Sequence, residues 1–162
     1  MNTYQLMEAL WSHANTRHRY GGVRAIDDLP LQAVHRPQHV WIINTDVLGG
    51  SGEHWVMVYL PLERNQACEF YDSNGQAPTD YHPALERFML RNAPDYVYST
   101  QCWQSPGTEF CGHYCLYWAQ YRCLGYTYSY LMEKHTENTH YNDKVVSSYV
   151  KGRFYNILSK HF

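Results

Sequence analysis

Two apolar runs constrain the fold of this chain most. HWVMVYL at 54–60 and ACEFYD at 67–72 are rich in β-branched and aromatic residues, and a short link containing Asn65 separates them. Runs of this kind pair as antiparallel strands, which puts the start of the first beside the end of the second. HVWIIN at 39–44 suits a further buried strand, and the alternation over Tyr96 to Thr100 suits one more. Gly49-Gly50-Ser51-Gly52 forms a turn before the first run, and Ser73-Asn74-Gly75 closes the second.

Helical spacing accounts for most of the rest. Residues 3–14 place Leu6, Met7, Leu10 and Trp11 on one face, with Asn2 or Thr3 as N-cap. The Gly21-Gly22 pair and Pro30 mark a loop-rich stretch. Over 83–91, Leu85, Phe88 and Met89 repeat at helical spacing, and Pro83 suits the first turn. Gln104 to Phe110 is a polar loop carrying Pro and Gly, followed by a long aromatic-rich helix from Cys111 to Leu124. The tail from Tyr126 adds one or two helices.

A length of 162 residues fits a single domain over 1–162. With 44% hydrophobic and 17% charged residues the chain is globular in composition, and its net charge of −2 lacks the basic footprint of a non-specific nucleic-acid binder. The five cysteines are odd in number and contain no Cys-x-x-Cys pair, which disfavours a closed disulfide set or a four-cysteine zinc cluster and fits a reducing compartment. The opening residues lack a basic flank followed by an apolar run, and no stretch reaches about 18 apolar residues. A soluble, unexported protein without a membrane partner is therefore expected.

Cys111 is the strongest candidate for chemistry. At a helix N-terminus, free N–H groups and the helix dipole favour a thiolate, and the preceding loop leaves the sulfur reachable. Gly112 removes a side chain where a substrate backbone would approach. Taken alone, a cysteine in an aromatic stretch is a small core residue. The balance changes because His54 opens one strand and Asp72 ends its neighbour, so a carboxylate could orient an imidazole there. The plainer readings are a surface histidine and an Asx-turn over Asp72 to Asn74. In the loop before Cys111, either Gln104 or Gln101 could offer an amide to the oxygen that becomes negative during attack. His135, His140 and His161 lack ligand spacing and read as solvated surface, with no metal or other cofactor expected.

GEHWVMVYL, FYDSNG and QSPGTEFCGHYCL occur in the order His-Trp, acid, Gln, Cys-Gly. That ordered set resembles the adenains, the adenovirus-type cysteine endopeptidases, and more broadly the proteases of ubiquitin-like proteins, over roughly residues 15–125. PQHVWIINTD resembles the strand before the His-Trp strand in those enzymes. The resemblance implies His54 as base, Asp72 as orienting acid, Gln104 as oxyanion donor and Cys111 as nucleophile. It places Trp55 beside the histidine, and Cys115 fits the family's Cys-Gly-x-x-Cys pattern. It also implies an α+β, papain-like fold with the catalytic order permuted to His-Asp-Gln-Cys, built on a small, mainly antiparallel sheet flanked by helices.

By the same resemblance the activity is that of a cysteine-type endopeptidase acting in virion maturation. Its partners would be viral precursor proteins cut after small residues at Gly-rich sites, in the virion and the host nucleus or cytoplasm. Trp55 and Trp103 would wall a narrow cleft that admits glycine. Two features depart from adenain: Asp72 stands where it carries Glu, and this chain lacks both the basic charge and the cysteine that go with its DNA and peptide activators. Asp72-Ser73 is closer to the branch acting on ubiquitin-like modifiers, which keeps a protease or isopeptidase of such modifiers as an alternative. A binding module that kept the fold and lost activity is a third reading. Cys68, Cys102 and Cys123 read as structural.

Overall fold

The computed structural model describes residues 1–50 and 53–160. In chain order the elements are α1 (Thr3–Ser12), α2 (Ala14–Arg17), β1 (Tyr20–Ala25), β2 (Val40–Asn44), β3 (Trp55–Tyr59), β4 (Cys68–Tyr71), α3 (Ala84–Asn92), β5 (Tyr96–Tyr98), α4 (Cys111–Cys123), α5 (Tyr128–Lys134), α6 (Thr139–Arg153) and α7 (Tyr155–Leu158). A 3-10 turn spans Pro78–Asp80. The class is α+β. Ser51, Gly52 and His161, named above, lie outside the described residues.

The strands form one sheet in the order β1-β2-β3-β4-β5. β2 with β3 and β3 with β4 run antiparallel, but β1 with β2 and β4 with β5 run parallel. The sheet is therefore mixed, not mainly antiparallel. The reason lies in the connections: the antiparallel pairs follow direct returns of the chain, while each outer pair is bridged by a long crossover, one of which contains α3.

β1 runs through the stretch expected to be loop. A Cβ on Gly21 would lie 2.4 Å from the Trp41 ring, so glycine here admits an indole across the strand and does not break it. In α1 the cap is Asn2, whose Oδ1 accepts from the Gln5 N–H at 2.9 Å while its own N–H donates to Gln5 Oε1. The buried face is Leu6, Ala9 and Leu10; Met7 and Trp11 turn outward, the latter against Tyr20. The small Ala9 supplies the third contact that size-based reading assigned to Trp11. Among the described residues three helices follow Tyr126, not one or two.

Strand alternation divides the core in two. Val40, Ile42, Met57, Tyr59 and Tyr71 face α1, α4 and α6, whereas Trp41, Ile43, Val56, Val58 and Phe70 face α3 through Leu85, Phe88 and Met89. α4 is the central helix, with Tyr114, Cys115, Leu116, Trp118 and Ala119 all buried. Its far end is fastened to the sheet: Arg122 Nε and Nη2 donate to the two Glu69 carboxylate oxygens at 2.7 and 2.8 Å, and the guanidinium covers the Tyr59 ring at 4.2 Å. Tyr71 Oη also donates to Glu69, at 2.5 Å. Among the described residues no helix is long and apolar enough to cross a membrane.

Glu69 is only 6% exposed, so removing its partner strands a buried charge. Arg122→Met is expected to lower the unfolding free energy in urea by about 3 kcal/mol. A loss below about 1 kcal/mol would place this pair with weak surface ion pairs.

Candidate active site

The β3–β4 register pairs Met57 with Tyr71. One step further puts Asp72 opposite Val56, on the same face as His54 and diagonal to it, within reach of a histidine side chain. There His54 Nε2 bonds Asp72 Oδ1 at 2.7 Å. The backbone of His54 is tied to the neighbouring strand's end by Thr45 N–H, which donates to its carbonyl at 2.8 Å. With Nε2 on the carboxylate, Nδ1 is the ring nitrogen left to interact with the Cys111 sulfur. Cys111 is the first residue of α4, half-buried, so helix and sheet meet at the sulfur.

Burial opposes charge on both partners of this contact, and the hydrogen bonds outweigh it. For His54, burial lowers the pKa, but hydrogen bonds to Asp72 and Cys111 and their negative charges raise it from 6.5 to about 9. For Cys111, burial raises the pKa, while the His54 hydrogen bond, the Trp55 backbone, the imidazolium charge and the Gly112 backbone bring it below its ordinary value. Both shifts run in the direction of a thiolate beside an imidazolium.

Asp72 is held from three sides. Its Oδ1 also accepts from the Asn74 N–H at 2.8 Å, and Oδ2 accepts a short hydrogen bond from Tyr81 Oη. The Asx-turn is thus present together with the contact to His54. Tyr81 was not legible as a site residue: it lies in the polar run before α3, and nothing local marks it. Its ring also lies over His54, with centroids 6.4 Å apart. Burial and the Asp72 charge push its hydroxyl pKa far upward, so it stays a donor.

Gln104 is the glutamine at the site. Its Nε2 donates to Thr108 O at 2.8 Å and Thr108 Oγ1 at 3.0 Å, and its Oε1 accepts from Ser73 Oγ at 2.6 Å. Since a carbonyl only accepts, the Thr108 contact fixes which end of the amide carries the hydrogens. The loop backbone is clamped too. Trp103 and Gln104 N–H groups donate to Ser73 O at 2.9 and 3.1 Å. From α6, Asp143 accepts from Ser105 N–H at 3.2 Å and Tyr114 Oη at 2.8 Å, while Asn142 Nδ2 donates to Trp103 O at 3.1 Å. No sequence signal announced this clamp. Gln101 is exposed, and its backbone faces Gly75, where a Cβ would meet Gln101 O at 2.6 Å; Gly75 has φ of 75°, a second reason for glycine.

A groove of about 670 Å³ runs over these residues, lined by His54, Trp55, Gln104 and Cys111 together with Glu53 and Glu109. Trp55 is largely buried and donates through Nε1 to Met1 O at 3.0 Å. Two expected substrate contacts are elsewhere. Trp103 packs in the core against His135, ring centroids 5.1 Å apart, because its backbone is fastened to Ser73 and Asn142 with the indole pointing inward. Gly112 is buried against Met1 and Trp55, where a Cβ would lie 3.1 Å from Met1 Cβ, and it does not line the groove.

No protein-family model matches the chain, and no curated protein matches it.

The remaining cysteines are free. Cys68, Cys115 and Cys123 are buried, whereas Cys102 is exposed, its thiol donating to Gln104 O at 3.2 Å. His135 is not a solvated histidine: Trp103, Tyr114, Tyr117 and Trp118 surround it, Trp118 Nε1 donates to its Nε2 at 2.9 Å, and burial lowers its pKa to about 4. His140 Nδ1 contacts Ser105 Oγ at 3.2 Å. Among the described residues no group of three His, Cys, Asp or Glu could hold a metal ion.

The shifted pair makes two pH limbs. Iodoacetamide alkylation of Cys111 is expected to stay fast below the ordinary thiol range and to show no decline above pH 9, since thiolate persists there. His54→Ala moves its midpoint upward. The folded pKa of His54 lies above its ordinary 6.5, so its share of stability is whole below that value and is lost as pH rises through about 9. An unshifted alkylation midpoint in His54→Ala would contradict the ion pair.

Proposed function

We propose that this chain is a cysteine endopeptidase of the adenain type, acting on viral precursor proteins during virion maturation. The observation that carries the reading is the His54 imidazole, hydrogen-bonded to Asp72 at 2.7 Å, sharing one open groove with the Cys111 thiol. In this reading the fold is papain-like, with the catalytic residues in the permuted order His54, Asp72, Gln104, Cys111. A mixed five-stranded sheet with the cysteine-bearing helix packed on it is compatible with that arrangement.

The Cys111 thiolate attacks the scissile carbonyl carbon, and the oxygen that gains charge takes a hydrogen bond from Gln104 Nε2 and one from a backbone N–H. The Nε2 contact to Thr108 Oγ1 is the weaker of the two that Nε2 makes, and it is the one a substrate oxygen would replace. His54 then gives its proton to the departing amine, leaving a thioester. Water, deprotonated by the now neutral His54, hydrolyses the thioester and returns the thiolate–imidazolium pair. Asp72 holds the ring in the orientation that keeps Nδ1 toward the sulfur. No cofactor takes part.

Cleavage after small residues, Gly foremost, follows from the adenain resemblance, as does action in the virion and the host nucleus or cytoplasm. Of the two tryptophans invoked for a narrow cleft, Trp55 alone lines the groove. Neither a DNA nor a peptide activator is part of the proposal, because the chain carries a net charge of −2 and no cysteine at the family's linking position. Asp72 followed by Ser73 favours a second reading, a protease or isopeptidase of ubiquitin-like modifiers. Retention of the nucleophile, base, acid and glutamine argues against an inactive binding module.

Peptide-library cleavage mapped by mass spectrometry tests the proposal. Cys111→Ala is expected to abolish cleavage, and Gln104→Ala to cost about 10²-fold in kcat. Bulky or charged residues just before the cut would contradict the specificity. Labelling of Cys111 by an electrophilic probe on the C-terminus of a ubiquitin-like modifier would favour the second reading.

A further inference from the structure

The turn that carries Asp72 also carries a hydroxyl for which the mechanism above has no use. Ser73 is 1% exposed, too enclosed to meet a substrate. Its Oγ donates to Gln104 Oε1 at 2.6 Å, and its carbonyl accepts the N–H groups of Trp103 and Gln104. Asp72, one residue earlier, holds His54. We propose that Ser73 is the positioning residue of the oxyanion donor, aiming the Gln104 amide into the groove and locking it in register with the His54–Asp72 pair; this rests on the endopeptidase reading.

The Gln104 amide has four hydrogen-bonding positions, two donors on Nε2 and two lone pairs on Oε1. A glutamine side chain has three rotatable bonds before its amide, so with Nε2 held at Thr108 alone the group can still swing about that contact. Swung out of line, Nε2 would no longer meet a developing oxyanion. The Ser73 hydroxyl can prevent this by donating to Oε1. Its own acceptor capacity is no obstacle, because the opposite end of the amide is already committed to a carbonyl, Thr108 O. Alanine at 73 would leave Oε1 without its donor while the two backbone N–H contacts to the residue-73 carbonyl remained. The loop would stay attached, and only the amide would lose its aim.

The outward Tyr4, Met7 and Trp11 of α1 form an apolar stripe, but nothing identifies what would cover it. The apolar hollow between Met1, His113, Lys151 and Tyr155 likewise names no ligand.

The test is a double-mutant cycle with Ser73→Ala and Gln104→Ala, read as kcat and KM on a peptide that the unsubstituted enzyme cleaves. Ser73→Ala is expected to lower kcat about tenfold with KM little changed, a part of the 10²–10³-fold that loss of an oxyanion donor costs. In the Gln104→Ala background it is expected to cost nothing further, because the group it aims is gone. The pH profile of Cys111 alkylation is expected to match the unsubstituted protein, since the His54 contact is untouched. An equal loss in both backgrounds, or no loss in either, overturns the proposal.

Should Ser73→Ala fail to fold, NMR on the unsubstituted protein decides: a Ser73 hydroxyl proton protected from exchange and close to the Gln104 amide supports the contact, and a freely exchanging one overturns it. If the unsubstituted chain cleaves no peptide, the endopeptidase reading falls and takes this inference with it. If it cleaves and Ser73→Ala matches it, the reading stands and only the inference falls.

Discussion

The antiparallel pairing of β3 with β4 is the constraint on which everything else depends. His54 and Asp72 lie just outside the paired residues, one before β3 and one after β4, so their meeting is a by-product of register. A slip of one residue would turn one of the two to the opposite face and separate imidazole from carboxylate. The register is in turn fixed by burial on both faces: every residue of β3 and of β4 is buried, so any slip would push Met57 or Phe70 out of its own core. The His54–Asp72 contact and hydrophobic packing therefore enforce the same alignment.

The third partner arrives from a different direction. α4 is buried almost all round, which explains why its pattern of apolar residues lacks a clear polar face and reads as an unbroken aromatic stretch. Such a helix must be enclosed, and α1, α5, α6 and the sheet enclose it. Its first residue reaches the sheet's end because Gly112 allows contact with Trp55 and Met1. The dipole and backbone N–H groups there act on the Cys111 sulfur along with the imidazole.

Much of this was legible in the residues. β2, β3, β4, α3 and α4 announce themselves through local periodicity, and His54, Asp72 and Cys111 stand at element ends where turn chemistry marks boundaries, while Gln104 sits in the loop between β5 and α4. What stayed hidden depends on distant contacts. Gly21 and Gly22 read as a breaker because nothing nearby in the sequence shows the Trp41 ring that lies on them. Trp103 looked like a cleft wall because its neighbours are loop-like, whereas its direction is set by Ser73, thirty residues before it, and Asn142, thirty-nine after it. Tyr81 has no local signature either. The parallel outer pairs of the sheet follow from how the chain crosses over, which strand propensity does not encode.

Arg122 and Cys111 stand at opposite ends of one helix of 13 residues, about 20 Å long at 1.5 Å per residue. With the Arg122 end pinned to Glu69, any tilt of the helix is felt most at the tip that carries the sulfur. A tilt of one degree displaces that tip by roughly 0.3 Å, and productive geometry tolerates about 0.5 Å. The crowd of rings around Tyr117 and Trp118 is then a mechanical requirement as well as a source of buried area. It resists that tilt.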